Sequence, residues 1–422
     1  LENRNSKIKK VKLKKINRNN ENKKNFVIDI LWKIFFYSTN FLYKNQKFFF
    51  VNSSINRKEI LKIYLKKFQF PFFYRKLFYK KNALDINLRK KMFNDVYKGK
   101  DNFLRFFFQN LYLFTPKSYI EDFESIRKLI YRYYPIGKKF KFFTAFNYKK
   151  DDLFKYWVAE NSLKDSNYFI FQHGGGFGID EIINEEDYIK EIADKFLTWG
   201  WSDHKKSQKF FNIKLSQKNV KKRLFAIKKK GKKKILIIFH YFDKTLHRIS
   251  SQPNNNYERL KKIYSIIQLC NNLENDFDIT LRYRSYIDSN WDSSFNKSLF
   301  SKNIKFDYGT TPFEKNIHLY DLIIFDANST TFLESCYHNI PSILLIDKDV
   351  QKNRKSFEIF KKNFVKNNII FFDNKKMLRF LKKKQNFHKW WNADHIQILI
   401  QEFCKNYINT TKNSYRVIKK FL

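Results

Sequence analysis

The sequence predicts an α/β protein of two domains, each built around a parallel sheet. Three observations carry this. Short apolar runs such as YFIFQ (168–172), ILIIFH (235–240), DLIIFD (321–326) and PSILLI (341–346) have the length and composition of buried strands. Stretches with helical spacing alternate with these runs, the order expected when helices cover both faces of a parallel sheet. A lysine-rich stretch over 203–234, with KKSQK, KNVKKR and KKKGKKK, separates the earlier runs from the later ones and reads as a connector. At 422 residues the chain can hold two domains of ordinary size.

Taken in order, residues 1–24 are rich in Lys and Asn with little periodicity, and are expected to form a basic tail. The first domain is expected over 25–205. Its part up to about 118 reads as mostly helical, and the apolar run at 27–43 carries Asp29 and Lys33, which makes it a buried helix rather than a membrane span. A helix over 119–134, a strand over 139–145 and a helix over 151–163 lead to YFIFQ. A helix over 185–194 and a strand over 195–201, turning at Gly200, complete the unit. Residues 206–233 link it to a second domain over 234–385. There ILIIFH is followed by a helix over 257–273, DITLRY (278–283), IKFD (304–307), DLIIFD, a helix from 329, PSILLI and a helix over 355–365. The last segment, 386–422, contains KWWNADHIQILIQEFCKNYI (389–408), a strongly amphipathic helix.

The charge is conspicuous: 85 Lys and Arg against 40 Asp and Glu, a formal +45. Basic surfaces bind phosphate backbones, yet the lysines are scattered and no nucleic-acid module accompanies them. Lys, Asn, Ile, Phe and Tyr are abundant together while Gly, Pro and Met are scarce, which is the signature of A/T-rich coding. The sequence therefore argues against a nucleic-acid binder. Attraction to an anionic membrane surface fits scattered basic charge better. Cys270, Cys336 and Cys404 are far apart and form no metal-binding spacing. With an odd count and no secretory signal in this sequence, the expectation is a reduced, cytoplasmic protein, peripheral at most to the inner face of the membrane.

Three constellations carry chemistry. The first is FQHGGGFGID (171–180). Four of the chain's nine glycines, Gly174, Gly175, Gly176 and Gly178, lie here at the end of a strand beside His173. An HGGG loop serves esterases as an oxyanion hole, but that requires a GxSxG elbow downstream, and none is present. Clustered glycines let the backbone approach a ligand and turn N–H groups toward an anion. His173 can accept a proton or bond a phosphate, with Asp180 and Glu181 as alternative bases. The second is DANSTTFLES: a strand ends at Asp326, Ser329, Thr330 and Thr331 open a helix, and Glu334 is expected within its first turn. Hydroxyls and N–H groups at a helix start form an anion site, although Ser329 alone would serve as an ordinary cap. The third is LRYRSY, where Arg282 and Arg284 share one face of a strand end and suit a diphosphate. His240, ending ILIIFH, is a further strand-end candidate.

QHGGGFG, IADKFLTWGW, LRYR, DANSTTFLES, NIPSILLID and the terminal WW segment together resemble a bacterial family of surface-carbohydrate transferases encoded among lipopolysaccharide and O-antigen biosynthesis genes. The resemblance runs from Pro116 to Tyr407, with Phe177 where the family places Tyr. It implies a GT-B-like fold of two Rossmann-like domains with a C-terminal amphipathic helix, distantly similar to capsule-polysaccharide and CDP-glycerol polymer transferases. It implies a nucleotide-sugar donor as co-substrate, a glycan or lipid-linked acceptor, no cofactor and no metal. In that reading Arg282, Arg284 and the Ser329–Thr331 helix start hold the donor, and His173 with the glycine loop faces the acceptor. Two alternatives stay open: a CDP-alditol-type phosphotransferase, and a non-catalytic membrane-surface or carbohydrate-binding protein.

Overall fold

The computed structural model describes residues 18–43, 45–93, 99–217, 231–239, 256–283, 299–348, 352–384 and 386–422, with backbone alone at 18–25, 256, 259 and 283. Eleven strands are described: β1 (Phe48–Val51), β2 (Lys141–Thr144), β3 (Asn167–Phe171), β4 (Lys195–Thr198), β5 (Ser207–Lys209), β6 (Lys233–Phe239), β7 (Phe277–Tyr283), β8 (Lys305–Asp307), β9 (Leu322–Phe325), β10 (Ser342–Leu345) and β11 (Ile370–Phe371). They form two sheets, ordered β1-β2-β3-β4-β5 and β11-β10-β9-β6-β7-β8. The fold is α/β with two parallel sheets, as the alternation of short apolar runs and helices requires.

In the first sheet β3, β4 and β5 pair in parallel, with Ile170 opposite Phe196 and Phe171 opposite Leu197. In the second, β6 is central: Ile235 faces Ile279 of β7 on one side and Leu322 of β9 on the other. Ile235, Leu236 and Ile237 are buried, which is why ILIIFH reads as an unbroken apolar run rather than an alternating one. Counted along the chain from β6, the spatial order of this sheet is 3-2-1-4-5-6, the doubly wound order whose direction of winding reverses between its first and fourth strands.

By contacts the chain divides into two compact units. One comprises Leu1–Val51, Tyr64–Phe142 and Asn147–Ser166; the other comprises Asn52–Ile63, Phe143–Phe146 and Asn167–Leu422. The core of the first is aromatic. Trp157, fully buried, meets Phe142 at 4.9 Å, Phe49 at 5.1 Å and Phe72 at 5.3 Å between ring centroids. A buried ion pair ties its helices: Arg89, 2% exposed, bonds both oxygens of Glu121 and donates to the carbonyls of Tyr112 and Thr115 at the end of the Asn102–Phe114 helix. The Arg89 hydrogen bond holds the Glu121 carboxyl down to about 2.

Several local expectations are corrected. The first described helix, Arg18–Thr39, starts inside the stretch expected as a tail, and the apolar run it contains is largely exposed rather than buried. β1 is a strand in a region read as helical, because a run of three phenylalanines has no period. β5 and a helical turn at Ile213–Ser216 extend structure into the expected connector. The single helix expected over 389–408 is two, Phe387–Trp391 and Asp394–Tyr407. They are pinned at the break by Trp391 and Gln397, which both donate to the Asn339 side chain at 2.8 and 3.0 Å.

Candidate active site

β3 ends at Phe171, and the residue after it shapes the glycine loop. The buried Gln172 side chain accepts from the Trp199 amide and the Trp201 indole, each at 2.8 Å, and donates to the Gly174 carbonyl at 2.8 Å. It thereby fastens the loop to the turn after β4. His173 comes next, with Nε2 3.3 Å from Glu185 Oε1 and its ring packed on Phe146 and Phe177 at 4.9 and 5.2 Å. Glu185 opens the Asn184–Ile192 helix. A carboxylate on an imidazole nitrogen fixes the ring's orientation and tautomer.

The loop then meets the second motif. Gly175 donates its N–H to Thr330 Oγ1 at 3.0 Å. A Cβ on Gly175 would lie 2.7 Å from the Thr330 nitrogen and 2.8 Å from its Cα, so only glycine admits this approach. Gly178 has φ of +76°, and a Cβ there would run into the Trp201 ring at 2.4 Å. Gly176 accepts from Ile179 and Asp180 through its carbonyl, closing the loop. On the other side Ser329 caps the Thr330–Tyr337 helix, with Oγ accepting from Phe332 N and lying 2.9 Å from Thr331 Oγ1. Thr330 Oγ1 accepts from Gly175, which leaves the hydroxyl proton to donate. Two motifs some 150 residues apart thus share one hydrogen bond.

Asp180 strengthens the junction. It is 8% exposed, and its Oδ1 accepts from Asn328 and Asn353, each at 3.3 Å. Around it residues 179–181 and 352–354 run as a clasp: Arg354 N donates to Ile179 O, Glu181 N to Lys352 O, and Arg354 Nε to Asp180 O. The Arg354 guanidinium continues to Glu186 at 2.7 Å and to Asp203, and sits over the Trp201 ring. Lys190 completes this charge cluster, 2.6 Å from Glu186 and 3.2 Å from Asp203. Asp180 is therefore spent on holding the loop, and the Glu181 side chain is exposed.

Outside the carboxyl ends of β9, β10 and β11 lies a pocket of about 280 Å³, lined among others by Lys261, Lys262, Asp326, Asp347, Lys348 and Asn374. Asp326 is 2% exposed and 3.6 Å from Lys262. β9 flanks the reversal point of the sheet, where doubly wound folds bind ligands. The stretch from Asp326 to Thr330 connects this pocket to the glycine loop.

Arg282 and Glu334 are engaged by other partners. Arg282 bonds Asp307 at 2.7 Å and the Thr311 carbonyl at 2.6 Å. Glu334 is in the second turn of its helix, not the first, and is buried against Lys214 at 3.0 Å. His240 and Arg284 lie outside the described residues. Burial pushes the Cys270 thiol up to about 12, which removes it as a nucleophile near neutrality. Two DxD triplets also occur, DFD (276–278) and DKD (347–349), the form metal-dependent transferases use. Asp278 is bound by Lys305 at 2.7 Å and Asp276 lies 3.5 Å from Lys382, whereas Asp347 lines the pocket. Sequence reasoning missed Gln172, Asn328, Glu185, Asn353 and Arg354. The first two sit inside the quoted motifs as polar residues at strand ends and could have been found there. The other three are remote partners without a local signal.

The family comparison decides where this arrangement belongs. Residues 1–422 match the model described as LIC12162 family transferase. The chain belongs to this family. No curated protein matches it. Among solved structures the family member is similar to TarM, at 10% identity over 67% of this chain and 54% of that one, with a TM-score of 0.40, so it spans about half of TarM's length. It is similar to the spinosyn rhamnosyltransferase SpnG, at 8% identity over 72% and 78% with a TM-score of 0.40. MurG of Acinetobacter baumannii is similar at 8% identity over 86% and 96%, with a TM-score of 0.41.

Proposed function

We propose that this transferase is a GT-B-like glycosyltransferase that moves a sugar from a nucleotide-activated donor to a surface-polysaccharide or lipopolysaccharide acceptor. The observation that carries the reading is the Gly175–Thr330 contact, which sets a glycine loop bearing a carboxylate-paired histidine against a helix N-terminus beside a strand-end pocket. In this account the nucleotide enters the pocket over β9 and β10, with Lys261, Lys262 and Lys348 offering positive charge. The diphosphate lies at the start of the Thr330–Tyr337 helix, where helix-end N–H groups and the Thr330 hydroxyl stabilise it. The acceptor hydroxyl attacks the anomeric carbon and its proton passes to His173, held by Glu185. The bond from that carbon to the phosphate oxygen breaks, and its electron pair leaves with the nucleotide diphosphate, whose growing charge the helix end meets. No metal takes part in these steps. The work is done in the cytoplasm, at the inner face of the membrane.

A thermal-shift panel with UDP-, GDP-, CMP- and CDP-linked ligands tests this reading, since a ligand that binds only the folded form raises the melting temperature. A response to a nucleoside-diphosphate sugar supports it. A response confined to CDP-alditols moves the assignment to phosphotransfer, and silence across the panel favours a non-catalytic binder.

A further inference from the structure

The Arg18–Thr39 helix is apolar on the face it turns to solvent as well as at the residue it buries most deeply, Phe36. Its inner face is already satisfied: Phe36, 1% exposed, packs on Phe72 and Tyr134, and the buried Asp29 accepts from Phe78 N and pairs with Lys33. Its outer face carries Val27, Ile30, Leu31 and Ile34, with Phe41 in the turn just after the helix, all exposed; Leu31 is 60% and Ile34 58% accessible. The spacing i, i+3, i+4, i+7 puts these four helical residues on one stripe. The Asn102–Phe114 helix of the same unit also exposes apolar side chains, with no buried residue and with Phe103, Phe106 and Phe107 exposed. Contiguous exposed apolar surface of this kind marks an interaction site.

Charge says what covers it. Residues 1–24, which run into this helix, hold ten Lys or Arg against two Glu, and the exposed stripe has no acidic side chain. Among the described residues no helix is long and apolar enough to cross a membrane. We infer that the Val27–Phe41 stripe lies in the interface of an anionic lipid bilayer, with its apolar side chains among the acyl chains. This deepens the peripheral attachment proposed above by naming its surface, and it takes nothing from the assignment of the transfer chemistry.

The test uses the full chain with vesicles of phosphatidylcholine alone or mixed with phosphatidylglycerol. The wild type should sediment with the mixed vesicles, far less with phosphatidylcholine, and less as salt shortens the screening length. Leu31→Glu with Ile34→Glu should lower the partition coefficient at least ~10-fold. Leu31→Met with Ile34→Leu should preserve it, and both pairs should melt like the wild type because the inner face is untouched. No binding to anionic vesicles, or binding the Glu pair leaves intact, overturns the inference. So does a wild-type dimer that the Glu pair dissociates, since a second copy would then own the stripe. Nucleotide thermal shifts on the same variants keep the two readings apart: the Glu pair should lose vesicles and keep its donor response.

Discussion

The ends of β9 and β7 offer the same opportunity and use it differently. Both strands deliver polar residues to the carboxyl edge of one parallel sheet. After β9 the chain opens a helix whose first residue receives the Gly175 N–H, beside a histidine with its own carboxylate. At β7 the Arg282 guanidinium turns to Asp307 of the neighbouring strand and to the Thr311 carbonyl. A strand-end position therefore does not by itself make a ligand-binding residue. What decides is whether the surrounding fold has already satisfied the group.

Substitutions can break this contrast, and the largest expected effect is on chemistry. His173→Ala should cost transfer roughly 10²–10⁴-fold, the ordinary worth of a general base, while leaving donor binding measurable. Full activity in that variant would assign the proton to another group. Next comes the clasp behind the loop. Arg354→Met removes one of two cations from Glu186, which has no exposed surface but keeps Lys190 and the Gly178 N–H, and also frees the Asp180 carbonyl; it should cost about 2–4 kcal/mol in chemical denaturation. At β7 the expectation is smaller and of another kind. Arg282→Met takes the guanidinium from the partly exposed Asp307, which keeps the Gly309 N–H, and should cost about 1 kcal/mol, yet the donor thermal shift should persist. Loss of that shift would return Arg282 to the donor site.

The smallest effect is expected from a chelator. Transfer in excess EDTA should match the untreated enzyme. Asp326 and Asp347 share the pocket with three lysines, and recovery of a lost activity by Mg²⁺ or Mn²⁺ would show that these carboxylates hold a metal.

The same contrast explains what could be read from sequence. Glycine at 175 answers a demand of the backbone, and Ser329 answers a demand of a helix start. Both leave residue types at fixed local spacing, so the loop and the helix start stand out in a chain with nine glycines. The doubly wound sheet was legible for a related reason, because strands buried on both faces must be apolar throughout. Glu185 on His173, Arg354 on Glu186 and Asp307 on Arg282 are side-chain pairs set by tertiary folding, and nothing near them in the chain announces the partner. The first helix misled in the opposite sense. Its apolar run promised burial, and the fold buried only the side bearing Phe36 and Asp29.

The account rests on the glycine loop and the Thr330 helix start forming one phosphate-binding unit, and calorimetric donor affinity in two glycine variants tests it most directly. A Cβ at position 174 would meet only the Phe177 ring, at 3.3 Å, whereas one at 175 would strike the Thr330 backbone at 2.7 Å. Gly174→Ala should therefore bind the nucleotide sugar within a factor of about two of the wild type, and Gly175→Ala at least ~10-fold more weakly, the equivalent of about 1.4 kcal/mol. Equal affinities in the two variants, with both folded, would contradict a shared site.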